Sequence, residues 1–99
     1  NFKIHLFLSV LVILLGLYVE LNKIEWTIIT FTIILGLSAE MVNTSIEAMC
    51  DAIATVWRKE IKVAKDVTAG MMLTVAIGSI IVAGLIILPK LLTQILKTL

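Results

Sequence analysis

Three apolar runs, each of a length that crosses a lipid bilayer, constrain this chain more than any other feature. IHLFLSVLVILLGLYVEL spans residues 4–21, a second run extends from Trp26 to about Cys50, and VTAGMMLTVAIGSIIVAGLIIL covers residues 67–88, just ahead of Pro89. The hydrocarbon core of a bilayer takes about 20 residues of α-helix. The first run is just sufficient, the third is ample, and the second overruns the need, which carries its last turns into the headgroups or beyond. Composition agrees, since 61% of the 99 residues are hydrophobic whereas a soluble domain is about half apolar. The expectation is an all-α membrane protein, one domain over residues 1–99. Its three transmembrane helices fall at about 4–21, 26–50 and 67–88, with a connection at about 51–66 and Pro89 stopping the third. Tyr18, Trp26 and Trp57 fall near the run ends, where interfacial aromatics belong.

The charges set an orientation. The connection ELNKIE is short and slightly acidic, whereas DAIATVWRKEIKVAKD carries Arg58, Lys59, Lys62 and Lys65. Basic connections stay on the cytoplasmic side. That places the N-terminus and the second connection inside, and ELNKIE and the C-terminus outside. Lys3 agrees, while Lys90 and Lys97 count mildly against it. The second connection also reads as helix, so the second and third helices are expected to run past the membrane. A net charge of +1 supplies no field for nucleic acid. Cys50 has no partner for an intrachain disulfide and reads as a small apolar filler. No small-residue cleavage site follows the first run, so the start does not read as a cleavable signal peptide. Gly70, Thr74, Gly78, Ala83 and Gly84 form a small-residue stripe of the kind that lets helices approach closely, within or between subunits.

The informative stretch is AEMVNTSIEAMCD, residues 39–51, at the end of the second run. With Glu40 at zero on a helical wheel, Asn43 falls near −60°, Glu47 near −20° and Asp51 near +20°. All share one narrow stripe, with Thr44 beside it, on a helix that is otherwise Met, Val, Ile, Ala and Cys. Glu40 lies roughly 21 Å along the axis from Trp26, below the cytoplasmic surface. A carboxylate at membrane depth costs about 2.5–3.5 kcal/mol on insertion scales. It is kept where it faces a partner, a cavity or an ion. One reading is a polar seam, with Glu40 paired to Asn43 or to a lysine of another helix. The other is a site that binds a cation or moves a proton, with Glu40 as general base and Glu47 and Asp51 as hard oxygen donors suited to Mg²⁺ on phosphates. Lys65 and Asp66 open the third helix at the same level. Lys65 alone reads as a snorkelling anchor and Asp66 alone as a first-turn acid favoured by the helix dipole. Carboxylates, magnesium and lysine together are the chemistry of phosphoryl transfer. No Walker A loop, GxGxxG or protein-kinase signature is present.

EMVNTSIEAMCD followed by AKD resembles the signature of the small bacterial integral-membrane diacylglycerol kinases, at every position of the pattern Glu-x-x-Asn-[Ser/Thr]-[Ser/Ala]-Ile-Glu-x-x-x-Asp and then Ala-Lys-Asp. NFKIH, ELNKIEW and LPKL resemble the Gram-positive branch, which includes undecaprenol kinases. The resemblance covers essentially the whole chain. It implies a homotrimer in the bacterial cell membrane, with three transmembrane helices per subunit and composite sites at subunit interfaces on the cytoplasmic face. It further implies transfer of the γ-phosphate of MgATP to a lipid alcohol, diacylglycerol or undecaprenol. By the same resemblance Glu40 is the general base and Asn43 orients the hydroxyl or the phosphate. Glu47 holds magnesium, Asp51 helps bind the nucleotide, Lys65 contacts the ATP phosphates and Asp66 supports it. The family also carries an N-terminal amphipathic surface helix and a second magnesium-binding glutamate ahead of the position of Asn1, both absent from this chain. Where the family often has Tyr-His or His-Pro ahead of AKD, this chain has Trp57 and Arg58, to which no role carries over. His5 reads as interfacial rather than catalytic.

Two other classes compete with a lipid kinase. A small ion- or proton-conducting oligomer needs its polar stripe to continue through the membrane, and here residues 26–36 offer only threonines. An inactive homologue is opposed by the intact Glu40, Glu47 and Lys65.

Overall fold

The computed structural model describes residues 1–53 and 58–99, so Trp57 and its expected interfacial place lie outside the described residues. It has three helices, α1 (Phe2–Val19), α2 (Lys23–Ile53) and α3 (Lys59–Thr98), and no strand among the described residues. All three are long and apolar enough to cross a membrane. The molecule is 61 Å long and 23 by 18 Å across. Its length matches the roughly 60 Å axis of a 40-residue helix, about twice the hydrocarbon thickness of a bilayer. The ends of α3 therefore stand clear of the apolar layer.

α1 and α2 form a hairpin whose turn is fixed at almost every residue. α1 stops at Val19, two residues short of the end of its apolar run, because Glu20 adopts a left-handed conformation with φ 58°. The backbone N–H of Leu21 then donates to the Gly16 carbonyl at 3.3 Å, the six-to-one bond of a Schellman ending. Leu21 folds back and is buried. Immediately afterwards Asn22 and Glu25 cap α2 reciprocally. Asn22 N–H donates to Glu25 Oε1 at 3.1 Å, and Glu25 N–H donates to Asn22 Oδ1 at 2.9 Å. This capping box satisfies two of the orphan donors at the helix start. One residue on, Trp26 lies against Gly16, where a Cβ would come within 2.7 Å of Trp26 Cη2 and 3.0 Å of Leu21 Cδ1. Glycine is needed at position 16 because the indole occupies the side-chain space.

α3 packs mainly along α2. It does not end before Pro89, as its sequence suggests, but continues through the proline to Thr98. Proline costs one intrahelical bond, a loss that contacts with the other helices offset. Both flanks are held. Ile87 belongs to the buried core, Leu91 packs on it, and Lys90 forms an ion pair with Glu25. The same pair accounts for a lysine at the expected outer end, since its charge is met by the acid of the α2 cap. Thr93 Oγ1 donates to the Pro89 carbonyl at 3.0 Å. Thr27, Thr32, Thr68 and Thr74 likewise donate to the carbonyl four residues before them, which shields these hydroxyls where water is scarce.

The core is small and lies near the hairpin turn, formed by Val19, Leu21, Ile29 and Ile87 with Trp26, Ile33 and Ile86 against it. Most large apolar side chains face outward, among them Phe7, Phe31, Leu73, Ile80 and Leu85. Only lipid or further protein satisfies such a surface. Gly70, Gly78 and Gly84 meet nothing within 4 Å of an added Cβ, so that part of the small-residue stripe does not serve packing inside this chain. Gly16→Ala is expected to displace Trp26 and to destabilise the hairpin by about 1–3 kcal/mol, the usual cost of overpacking. A lower unfolding midpoint in detergent micelles, with a changed tryptophan emission, checks it.

Candidate functional site

The polar stripe of α2 faces two different neighbours along its length. α1 begins at the level of Glu40, so residues further along α2 lose that neighbour and meet only α3 and solvent. Glu40 is accordingly buried, with 4% of its surface exposed. Its Oε1 lies 2.9 Å from the backbone nitrogen of Asn1 and its Oε2 lies 3.4 Å from His5 Nε2. The partner of Glu40 is thus neither Asn43 nor a lysine, the two candidates its sequence offers, but the first turn of α1. No side-chain nitrogen or oxygen is buried without a hydrogen-bond partner among the described residues.

One turn on, Asn43 is half-buried, and beyond it Glu47 and Asp51 are exposed. Asp51 reaches α3, accepting from Lys65 Nζ at 3.0 Å. Lys65 lies ahead of the apolar run 67–88, and its ammonium is held above the usual lysine range by the hydrogen bond and charge of Asp51, with a smaller contribution from Glu47. Glu47 forms no ion pair of its own among the described residues. Asp66 is directed elsewhere, its carboxylate accepting from Lys62 Nζ at 2.6 Å one helical turn back. Adjacent residues on a helix point about 100° apart, so Lys65 and Asp66 cannot both face α2. Arg58 is the exposed residue ahead of the α3 helix, without a side-chain capping bond.

The sequence-derived residues therefore fall into two groups. Glu47, Asp51 and Lys65 gather at the end of the bundle, while Glu40 sits about 16 Å of helix below Asp51. Asn43 lies between, and Asp66 belongs to the α3 surface. As a metal site the described residues offer a partial set, since no three of His, Cys, Asp and Glu converge. Glu47 is nonetheless a free-standing, exposed carboxylate next to a lysine. That suits Mg²⁺, which keeps several waters and takes one or two carboxylates beside substrate phosphates.

Two features were not legible in the residues alone. His5 meets Glu40 because both stand at comparable distances from the α1–α2 turn, a signal available only once that turn is located. A cavity of about 290 Å³ opens between the three helices below Glu40, lined by His5 and Ser9 of α1, Thr32 and Gly36 of α2, and Ser79 and Ala83 of α3 among others. It is overwhelmingly apolar, with hydroxyls and the imidazole as its few polar groups. Its room comes from small residues at the crossing of the helices. Such a space takes a slender apolar chain.

A family model described as prokaryotic diacylglycerol kinase matches residues 1–87. An undecaprenol kinase of Bacillus subtilis (strain 168) is 42% identical over 92 residues, which cover 92% of this chain and 74% of that protein. A diacylglycerol kinase of Synechocystis sp. (strain ATCC 27184 / PCC 6803 / Kazusa) is 35% identical over 94 residues, 94% of this chain and 54% of that protein. This chain thus spans about half the length of the second relative. No solved structure gives a significant match.

Because the Asp51–Lys65 pair is exposed and water-screened, it holds little of the fold together. Asp51→Asn, Lys65→Met and the double variant are expected to unfold in micelles at the temperature of the unaltered protein. A clear drop in any of them would mark the pair as a structural clamp.

Proposed function

The chain belongs to the prokaryotic diacylglycerol kinase family and is a lipid kinase, and from that premise we propose that it moves the γ-phosphate of ATP directly onto the hydroxyl of undecaprenol or diacylglycerol at the cytoplasmic face of the bacterial plasma membrane. The observation that carries this reading is a buried carboxylate at the head of an apolar cavity, with a lysine–carboxylate cluster further out between α2 and α3. A lipid alcohol has its tail in hydrocarbon and its hydroxyl at the interface, whereas ATP stays in water. A site that joins them needs its base at membrane depth and its nucleotide-binding groups outside. Glu40 and the Asp51–Lys65 pair are spaced in that way.

In this reading the lipid tail occupies the cavity and its hydroxyl lies at Glu40. The hydroxyl oxygen attacks the γ-phosphorus in line. The O–H proton passes to Glu40, the bond between the γ-phosphorus and the bridging oxygen breaks, and ADP leaves. Asn43, half-buried between the two groups, orients the hydroxyl or the transferring phosphoryl group. Lys65 neutralises phosphate charge, with Asp51 fixing its ammonium and contacting the nucleotide, and the Lys62–Asp66 pair supports that face of α3. Mg²⁺, held by Glu47, would supply charge neutralisation on the phosphates when bound. Positioning and electrostatics carry most of such a transfer, so no phospho-enzyme is required. The outward apolar surface and the unpacked glycines of α3 support a homotrimer, in which groups of a neighbouring copy complete each site.

Glu40→Gln is nearly isosteric and keeps a donor and an acceptor at the buried position. It is expected to lower kcat by about 10²–10⁴-fold while leaving the unfolding midpoint in place. The assay is phosphate transfer from labelled MgATP to undecaprenol and to diacylglycerol in mixed micelles. Unchanged transfer by the variant would remove Glu40 from the role of base. No transfer to either lipid by the folded, full-length protein would overturn the proposed acceptors. Glu47→Gln is expected to raise the magnesium concentration needed for half-maximal rate, read in the same assay by titrating Mg²⁺ at fixed ATP.

A further inference from the structure

Glu40 does not itself line the cavity below it, but His5 does. His5 is the side chain that touches both. Its Nε2 stands 3.4 Å from Glu40 Oε2, its ring borders the apolar space, and 29% of its side chain remains exposed against 6% for Glu40. Its backbone is anchored as well, the His5 carbonyl accepting from Ser9 Oγ at 2.8 Å. The first turn of α1 is itself capped, with Asn1 Oδ1 accepting from the Lys3 N–H at 2.9 Å. The imidazole is therefore presented from a fixed helix start rather than from a loop.

A carboxylate in apolar surroundings needs a donor or a counter-charge to stay ionised, and it swings toward water when none is near. Among the described residues the groups at Glu40 are the backbone nitrogen of Asn1 on one oxygen and His5 on the other. No lysine or arginine of α3 contacts it. We propose that His5 is a positioning residue of the transfer reaction: its Nε2 holds Glu40 Oε2 at the head of the cavity, so that the carboxylate is aimed at the hydroxyl of a bound lipid alcohol. This rests on Glu40 acting as the base. His5 acts through Glu40 and is not required to touch the phosphoryl group. Its contribution therefore falls on kcat rather than on the KM for MgATP.

The test compares His5→Phe, His5→Gln, His5→Asn and Glu40→Gln in the full-length protein, with undecaprenol and diacylglycerol in mixed micelles. Phenylalanine keeps the ring and the α1–α2 packing but donates nothing. Glutamine places an amide nitrogen near the position of Nε2, and asparagine is too short to do so. His5→Phe is expected to lower kcat on the order of 10²-fold, the scale of a misplaced catalytic group, with KM for MgATP and the unfolding midpoint nearly unchanged. His5→Gln is expected to recover most of the rate and His5→Asn little of it. In the Glu40→Gln background, His5→Phe is expected to cost nothing further, because both changes remove the same function. If His5→Phe fails to fold, the glutamine-to-asparagine contrast carries the test alone. Equal rates for those two would overturn the proposal, as would an unimpaired His5→Phe or a full additional loss in the Glu40→Gln background. An inactive Glu40→Gln beside an unimpaired His5→Phe would remove the role of His5 and leave Glu40 as the base. A fully active Glu40→Gln would remove both.

Discussion

The register of α1 against α2 is set at one turn, and the chemistry of the opposite end depends on it. Gly16 lets the Trp26 indole lie against the α1 backbone. The Schellman bond to the Gly16 carbonyl and the Asn22–Glu25 box fix the chain on either side. From there α1 runs about three turns to His5 and α2 about four turns to Glu40. A slip of one residue at the turn would rotate α1 by about 100° and move His5 off Glu40. Glu25 works twice here, as the cap of α2 and as the partner of Lys90, so the same turn also seats α3.

Polar groups in this chain are distributed by what water can reach. In the apolar middle the polar side chains are hydroxyls, and those of Thr27, Thr32, Thr68 and Thr74 bond back to their own helix. At one end stands the Glu25–Lys90 pair, where a cap and a lysine meet. At the other, the groups become more exposed with distance, from buried Glu40 through half-buried Asn43 to exposed Glu47 and Asp51. That gradient mirrors what a lipid kinase must bring together, a hydroxyl anchored in hydrocarbon and a nucleotide in water. The cavity follows from the same economy of side chains, since Gly36, Ser79 and Ala83 leave space where larger residues would have closed the crossing.

Much of this architecture was legible beforehand. The three runs and the one-sided stripe of Glu40, Asn43, Glu47 and Asp51 follow from hydropathy and periodicity, and the family signature is written in the same residues. Pro89 misled because a proline is read locally as a stop, whereas its neighbours Ile87, Lys90 and Leu91 are held by other helices. Asp66 belonged with Lys65 only in sequence; side chains on successive helical positions diverge, and Lys62 captures it. His5 carried no local signal at all, being one histidine in an apolar helix.

The sequence by itself determined that the chain is helical and membrane-spanning, which face of α2 is polar, and which residues can carry charge at its end. Those are properties of hydropathy and of a 3.6-residue period, and both are local. Only the tertiary structure decided which partner each charge has: His5 for Glu40, Lys65 for Asp51, Lys62 for Asp66 and Lys90 for Glu25. Pairing depends on helix register and on the rotation of one helix against another, and these are set by a glycine, an indole and a turn far from the groups they bring together.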